Sequence, residues 1–167
     1  MSTVSVSPHT NVHTVTHVTS KMLLTLKEII REIGLNPDKL ADSWASLENA
    51  TSTWLVSQHL TKVVLEVFNP DNDKLVVRWD LDVVYGYEGD GSFWADTFAI
   101  KYAILKAGQV PSRCRYDFLL GTKLGRPDVV GWGPSSYRAT EGFERYGLGA
   151  TVGAPGIGTN VFYWSKS

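Results

Sequence analysis

Residues 121–167 are rich in glycine and in aromatic rings at once. Ten of the chain's fifteen glycines fall there, together with Trp132, Tyr137, Phe143, Tyr146, Phe162, Tyr163 and Trp164. Glycine at the density of Gly147, Gly149, Gly153, Gly156 and Gly158, with Pro155 among them, cannot sustain a helix, because each one loses backbone entropy and offers no side chain to pack. Disordered segments, by contrast, are poor in aromatic rings. The combination predicts an irregular arm whose rings pack onto the rest of the molecule. An arm of that length is not a passive loop; it is expected to wrap a domain and to hold a ligand against it.

The remainder bounds what that domain is. A chain of 167 residues is long enough for one core without staples. With 43% hydrophobic and 20% charged residues it has an ordinary globular composition. A formal net charge of −1 excludes broad nucleic-acid binding, which needs a basic footprint. The single cysteine, Cys114, forms no internal disulfide and fits a reducing compartment. No secretory h-region is visible near Met1, and no apolar run is long enough to span a bilayer, so the expected location is cytoplasmic with no membrane partner.

Residues 1–11 read as a flexible polar tail, with strand-forming capacity at Thr3, Val4, Ser5 and Val6. Residues 12–18 alternate apolar and polar, which predicts a short strand. A helix is expected over 19–33, with Met22, Leu23, Leu26, Ile29, Ile30 and Ile33 at helical spacing and Gly34 as its stop. Asn36 and Pro37 open a second helix carrying Leu40, Trp44 and Leu47; the weak helix formers at 49–53 are a candidate break. Residues 63–68 and 75–85 read as a hairpin in which Arg78, Asp80 and Asp82 form a wet face opposite Trp79, Leu81 and Val83. A third helix is expected over 93–106, with Trp94, Phe98, Tyr102 and Leu105 on one stripe and apolar residues spread widely enough to be covered on more than one side. Residues 113–120 read as one more strand.

No constellation in the chain carries chemistry. His9, His13 and His17 are spaced for a helical metal site, but an alternating segment makes them polar residues of a tail and strand. The glycine runs at 147–158 lack the strand, the helix and the lysine of a phosphate loop, so no cofactor is expected. Asp71 and Asp73 imitate a calcium loop, yet its sixth position is Val76 and its twelfth Asp82, which leaves turn chemistry. Asp80 and Asp82 could pair for acid–base work, but a solvated strand face accounts for them. Cys114 shares its strand face with Tyr116 and Phe118, which makes it inert despite Arg113 and Arg115. The chain is not expected to be an enzyme.

The element order, with Thr14, Val15, Thr16 and His17 at the opening followed by Lys21 in the first helix, Arg113 to Phe118 on an edge strand entering the arm, and a final aromatic strand Asn160 to Trp164, resembles the HORMA domain. It is most similar to bacterial HORMA proteins of cyclic-oligonucleotide (CBASS-type) anti-phage operons. The resemblance implies an α+β fold: a central antiparallel sheet packed on about three helices, with residues 1–11 a tail, 12–120 the core and 121–167 a C-terminal safety belt of the same domain. It also implies a peptide-binding conformational switch. The belt encircles a closure peptide that adds a strand to a sheet edge, the closed form activates a cyclic-oligonucleotide synthase (CD-NTase), and a AAA+ ATPase reopens the protein from its N-terminus.

On that resemblance Trp132, Tyr137, Phe143 and Tyr146 are the candidate belt rings near the peptide, and Phe98 and Tyr102 the facing side of the central helix. Ser2, Thr3, Val4, Ser5, Val6 and Ser7 are the handle for the remodeller. Residues 4–18 are a candidate internal strand that keeps the empty protein quiet. Two rival readings remain at this point: a small-ligand module closed by the aromatic arm, and an unrecognised enzyme using Asp80, Asp82 or Cys114.

Overall fold

The segment that alternates apolar and polar residues near the N-terminus is helical. In a computed structural model of the protein, which describes residues 8–96 and 98–166, one helix, α1, runs Pro8–Glu32. The expected strand at 12–18 is therefore its first half, and the expected tail at 1–11 is helical from Pro8. Thr14, Val15, Val18, Thr19 and Met22 are buried while Val12 is exposed, a helical period that simple alternation masks. The β-branched residues cost helix propensity, but this face docks on the sheet: Thr14 Oγ1 donates to the Pro155 carbonyl at 3.3 Å. The candidate internal strand at 4–18 is thus helical over 8–18. Its remainder, and the handle at Ser2 to Ser7, lie outside the described residues.

Gly34, at φ +94°, stops α1 just past Glu32. Helix α2 then runs Asp38–Val56, preceded by Asn36, whose Oδ1 accepts from the Asp38 amide at 3.0 Å. Residues 49–53 do not break α2, because Ala50 and Thr51 are buried on the same face as Leu47, Trp54 and Leu55.

The hairpin follows as β1 (Leu60–Asn69) and β2 (Lys74–Tyr87), joined by a turn in which Asn69 and Asn72 side chains accept backbone amides. After it come a two-residue strand β3 (Trp94–Ala95), helix α3 (Phe98–Ala107), β4 (Arg115–Thr122), β5 (Glu144–Ala154) and β6 (Gly156–Ser165). The six strands form one antiparallel sheet in the spatial order β3-β5-β6-β2-β1-β4. Strand β4 therefore lies at one edge, bonded to β1 alone.

The arm is far more regular than its glycines suggest. Only residues 123–143 are irregular; the rest is the β5–β6 hairpin, and β6 lies against β2 over ten residues in the interior of the sheet. The glycines are where rings lie flat on the backbone. A Cβ at Gly153 would collide with the Trp94 indole, one at Gly158 would meet the Tyr87 ring at 3.0 Å, and one at Gly147 the Phe162 ring at 3.1 Å. The hairpin turn is held by Gly156 at φ +86°.

Two side-chain rows cross the sheet. On the face covered by α1 and α2, Phe118, Leu65, Trp79, Tyr163 and Tyr146 stand in register across five strands, with Trp79 stacked on Tyr163 at 5.0 Å and Tyr163 on Tyr146 at 4.9 Å. On the opposite face the aligned residues are Asp117, Glu66, Arg78, Trp164 and Arg145. The second face was expected to be wet. Asp80 is instead 0% exposed and Arg78 5%, because the arm and β6 roof it over.

Helix α3 departs from expectation in two ways. It begins only at Phe98, whose amide is capped by Asp96 Oδ1 at 2.8 Å, because Trp94 and Ala95 pair with β5. It is also covered on one side only. Ile100, Ala103 and Ile104 are buried, while Phe98, Tyr102 and Leu105 are 82%, 62% and 82% exposed. No helix among the described residues is long and apolar enough to cross a membrane.

Candidate functional site: a channel between an unpaired strand edge and the arm

Among the described residues no other strand pairs with the outer edge of β4, and the chain leaving it does not depart into solvent. Residues 123–143 turn at Gly125 (φ +82°), pass the end of α2, cross in front of the β4 edge, and reach the polar face of the sheet before entering β5. Trp54 Nε1 donates to the Pro127 carbonyl at 2.8 Å, and Trp132 Nε1 to Ser46 Oγ at 3.1 Å, with the Trp54 and Trp132 rings edge to face at 6.3 Å. These contacts tie the near half of the arm to α2.

The far half is tied to the sheet by Tyr137 and Arg138. The Arg78 guanidinium lies 4.4 Å from the centre of the Tyr137 ring, and Lys62 Nζ 5.4 Å from it. Tyr137 comes this close because β4 has glycine beneath it: a Cβ at Gly121 would sit 3.0 Å from the Tyr137 hydroxyl oxygen and 2.7 Å from Thr61 Oγ1. Burial pushes the Tyr137 hydroxyl above its ordinary pKa, against the pull of Arg78.

Arg138 is the centre of a charge cluster. Its amide donates to Glu66 Oε2 at 2.8 Å and its Nη1 to Glu66 Oε1 at 2.9 Å; Nη2 reaches Asp73 Oδ1 at 2.8 Å and Asp117 Oδ2 at 3.1 Å. The guanidinium also covers the Phe68 ring at 3.7 Å. Glu66 is 1% exposed, so this is a buried pair. Burial opposes the Asp117 charge, yet hydrogen bonds from Lys39 and Arg138 outweigh it and hold its carboxyl below the usual range. Lys39 Nζ, from α2, sits 2.8 Å from Asp117 Oδ1. Beneath the arm, Arg78 chelates Asp80 through Nε at 2.6 Å and Nη2 at 3.0 Å, and Trp164 Nε1 adds a third donor to Asp80 at 3.2 Å.

What the arm encloses is open. A cavity of about 620 Å³ lies between Ser43, Leu47, Phe118, Trp132, Tyr137 and Arg138. A second, of about 430 Å³, shares Phe118, Leu119, Trp132 and Tyr137 and extends along Leu120, Gly121 and Thr122 to Arg126. Together they run along β4 from Asp117 to Thr122, apolar where Phe118, Leu120 and Trp132 meet and polar where the arm serines Ser135 and Ser136 lie. Beside such a space, an edge that pairs with no other strand among the described residues, its Tyr116 carbonyl accepting from Lys39 Nζ at 2.6 Å, is a template for one more strand.

Of the residues singled out from the sequence, Trp132 and Tyr137 line this channel. Phe143 and Tyr146 do not: Phe143 precedes β5, beneath Lys166 Nζ at 5.2 Å, and Tyr146 is stacked on Tyr163, four strand positions and thus about 19 Å from β4. Phe98 and Tyr102 face solvent on α3, which packs on α1 and β5. Sequence reasoning missed Leu47, Phe118, Leu120, Arg126 and Arg138. The wide ring spacing drew attention to aromatic residues, while the arginines that anchor the arm left no periodic signal.

The other candidates are absorbed by structure. His17 Nε2 is 3.1 Å from the Trp94 carbonyl and its ring is edge to face with Phe93 at 5.2 Å. The helix places His13 and His17 one turn apart after all, but among the described residues no group of three metal-ligating side chains forms. Cys114 is buried, and that burial pushes its thiol up despite Arg113.

A sheet whose C-terminal hairpin is threaded into its interior, leaving a belt around an open edge, defines the HORMA class of fold. Solved structures agree: a chain of the mitotic checkpoint complex matches with TM-score 0.81 at 11% identity, covering 92% of this chain and 98% of that one. C. elegans HTP-2, solved bound to a HIM-3 closure motif, matches with TM-score 0.69 at 14% identity over 98% of this chain and 100% of its own. A chain of the E. coli MS115-1 CdnC:HORMA-deltaN complex matches with TM-score 0.57 at 13% identity over 100% and 93%. The protein belongs to the bacterial HORMA domain 2 family, whose profile matches residues 1–167. No curated protein matches it by sequence.

Proposed function

We propose that this protein is a peptide-binding switch without catalysis of its own, capturing a closure peptide as an added strand between β4 and the 123–143 belt. The observation that carries the reading is the open channel along the unpaired β4 edge, roofed by an arm anchored at both ends. Backbone bonds to β4 would supply affinity and the Leu47, Phe118 and Trp132 pocket would supply selectivity. HTP-2 bound to a closure motif supports this by shared fold.

The anchoring also has a kinetic consequence. One end of the belt is covalently continuous with β4, and the other is the β5–β6 hairpin bonded along β2. A strand cannot slip sideways under such a belt; the belt must open, or the peptide must thread. That supports exchange driven by a AAA+ ATPase remodeller. The family and the CdnC:HORMA-deltaN likeness support the further step that the closed, peptide-bound form binds and activates a cyclic-oligonucleotide synthase in anti-phage defence, a cytoplasmic role.

The test is reconstitution of a synthase encoded beside the protein. Nucleotide turnover should require this protein plus a captured peptide and should fall at least tenfold with the Trp132→Ala, Tyr137→Ala double variant. Turnover indifferent to the protein, with thermal stabilisation by metabolites and none by peptides, would favour the small-ligand reading instead.

A further inference from the structure

The charges around the channel are not evenly satisfied. At the Arg115 end of β4, Glu66, Asp73 and Asp117 are matched by Arg138 and Lys39 through the bonds described above. At the Thr122 end the cation lining the cavity is Arg126, while Lys123 Nζ lies over the Tyr85 ring at 5.2 Å. The Arg126 guanidinium carbon stands 4.9 Å from the Trp54 ring centre, a cation–π contact. Nη1 is buried and makes no hydrogen bond among the described residues. Its one anionic neighbour there is Asp128 Oδ1 at 3.9 Å, on a side chain 105% exposed, which is too solvated to compensate it.

Arg126 is also held in place. Gly125 supplies the left-handed turn before it, and the Pro127 carbonyl after it is fixed by Trp54 Nε1 at 2.8 Å. The Arg126 side chain is 22% exposed and lies in the wall of the cavity beside Leu120, Gly121 and Thr122; a positioned guanidinium there, with no close anionic partner, is a receptor for a planar anion.

We infer that the captured strand carries a carboxylate at the Thr122 end of the channel, received by Arg126. The inference rests on the strand-capture reading above and gives that strand its chemistry. Four residues of strand separate Phe118 from Thr122, about 13 Å. The carboxylate therefore stands about four residues from the apolar side chain seated against Phe118, Leu47 and Trp132. Either an aspartate or glutamate side chain or the peptide's own C-terminus has this chemistry.

Two random dodecapeptide libraries separate those sources, one displayed with a free C-terminus and one with its C-terminus fused to the carrier. Selection on the wild-type protein should enrich an apolar position and an acid about four residues apart in the fused library, or in the free library alone if the terminus is the anion. By fluorescence anisotropy, replacing that carboxylate with its amide should weaken binding ten- to a hundredfold, a comparison that needs no variant of the protein. Arg126→Glu should shift preference to the lysine analogue of the same peptide, and Arg126→Gln should abolish the difference between acid and amide while keeping apolar selectivity. Enriched peptides without an acid, or equal affinity of acid and amide for the wild type, overturn the inference and leave strand capture standing. Enrichment of no peptide in either library overturns strand capture itself and the inference with it.

Discussion

Replacing Arg138 by alanine removes three side-chain partners but leaves the amide bond to Glu66 Oε2 in place. The magnitude follows from how exposed each partner is. Removing one member of a buried ion pair costs about 3–5 kcal/mol. Glu66 keeps one backbone donor, and the Arg138 side chain is 18% exposed, which argues for the lower part of that range and somewhat below it. Asp73 is 74% exposed and adds almost nothing, and Asp117 retains Lys39. We expect about 2–4 kcal/mol, concentrated on the belt, because none of these bonds holds β1 to β2. At 1.4 kcal/mol per factor of ten, amide exchange over 123–143 should accelerate roughly 30- to 700-fold. Amides in the centres of β1 and β2, such as Leu65 and Trp79, should change by less than about tenfold. Arg138→Lys should fall between, since it keeps the charge but loses the fork. Asp73→Asn should accelerate the belt by no more than about fivefold. Unchanged belt exchange in Arg138→Ala, or an equal loss of protection in β1 and β2, would refute the claim that this residue latches the arm.

Two further perturbations probe the same face of the sheet. Gly121→Ala places a methyl 2.7 Å from Thr61 Oγ1 and 3.0 Å from the Tyr137 hydroxyl, so it should cost about 1–3 kcal/mol by overpacking and hasten proteolysis within 123–143; an unaltered melting temperature and digestion pattern would count against the close approach. Asp82 has its carboxyl raised above 3.8 by burial and then by Asp80, against the pull of Lys62 and Arg145. Its charged form therefore costs stability above the folded pKa, and that cost disappears once it is protonated. Asp82→Asn should melt higher than wild type at pH 7, with the advantage shrinking as pH falls through the raised value toward 4, and a variant less stable at pH 7 than at pH 4 relative to wild type would reverse the sign.

Much of the architecture is legible in single residues. Gly34 marks the end of α1, Asn69 to Asp73 the hairpin turn, Gly108 the end of α3, and the apolar run of β1 with the alternation in β2 announces a sheet. That order is what resembles the HORMA domain and its α+β fold. The failures share a cause. Residues 12–18 have two periods superposed, and only the docking of Val15, Val18 and Met22 against the core decides for the helix. Helix α3 looks covered on two sides because its sequence is apolar all round, yet a ten-residue helix at the margin of the sheet has one neighbour face.

The candidate site divides in the same way. That the last third of the chain wraps the domain is decided locally: glycine cannot hold a helix there and seven rings cannot stay in water. Which rings meet the channel is not, because Trp132 and Tyr137 are separated from Phe143 and Tyr146 by where the chain crosses an edge, and strand order is a property of pairings distant in sequence. The same holds for charge. Arg78 and Asp80 read as a solvated face from their alternation alone, and become a buried pair only because β6 and the belt cover them. Local backbone preference and burial drive are written residue by residue, and so they can be read from the sequence; the open β4 edge, the latch at Arg138 and the unsatisfied edge of Arg126 exist only once residues far apart along the chain are brought together.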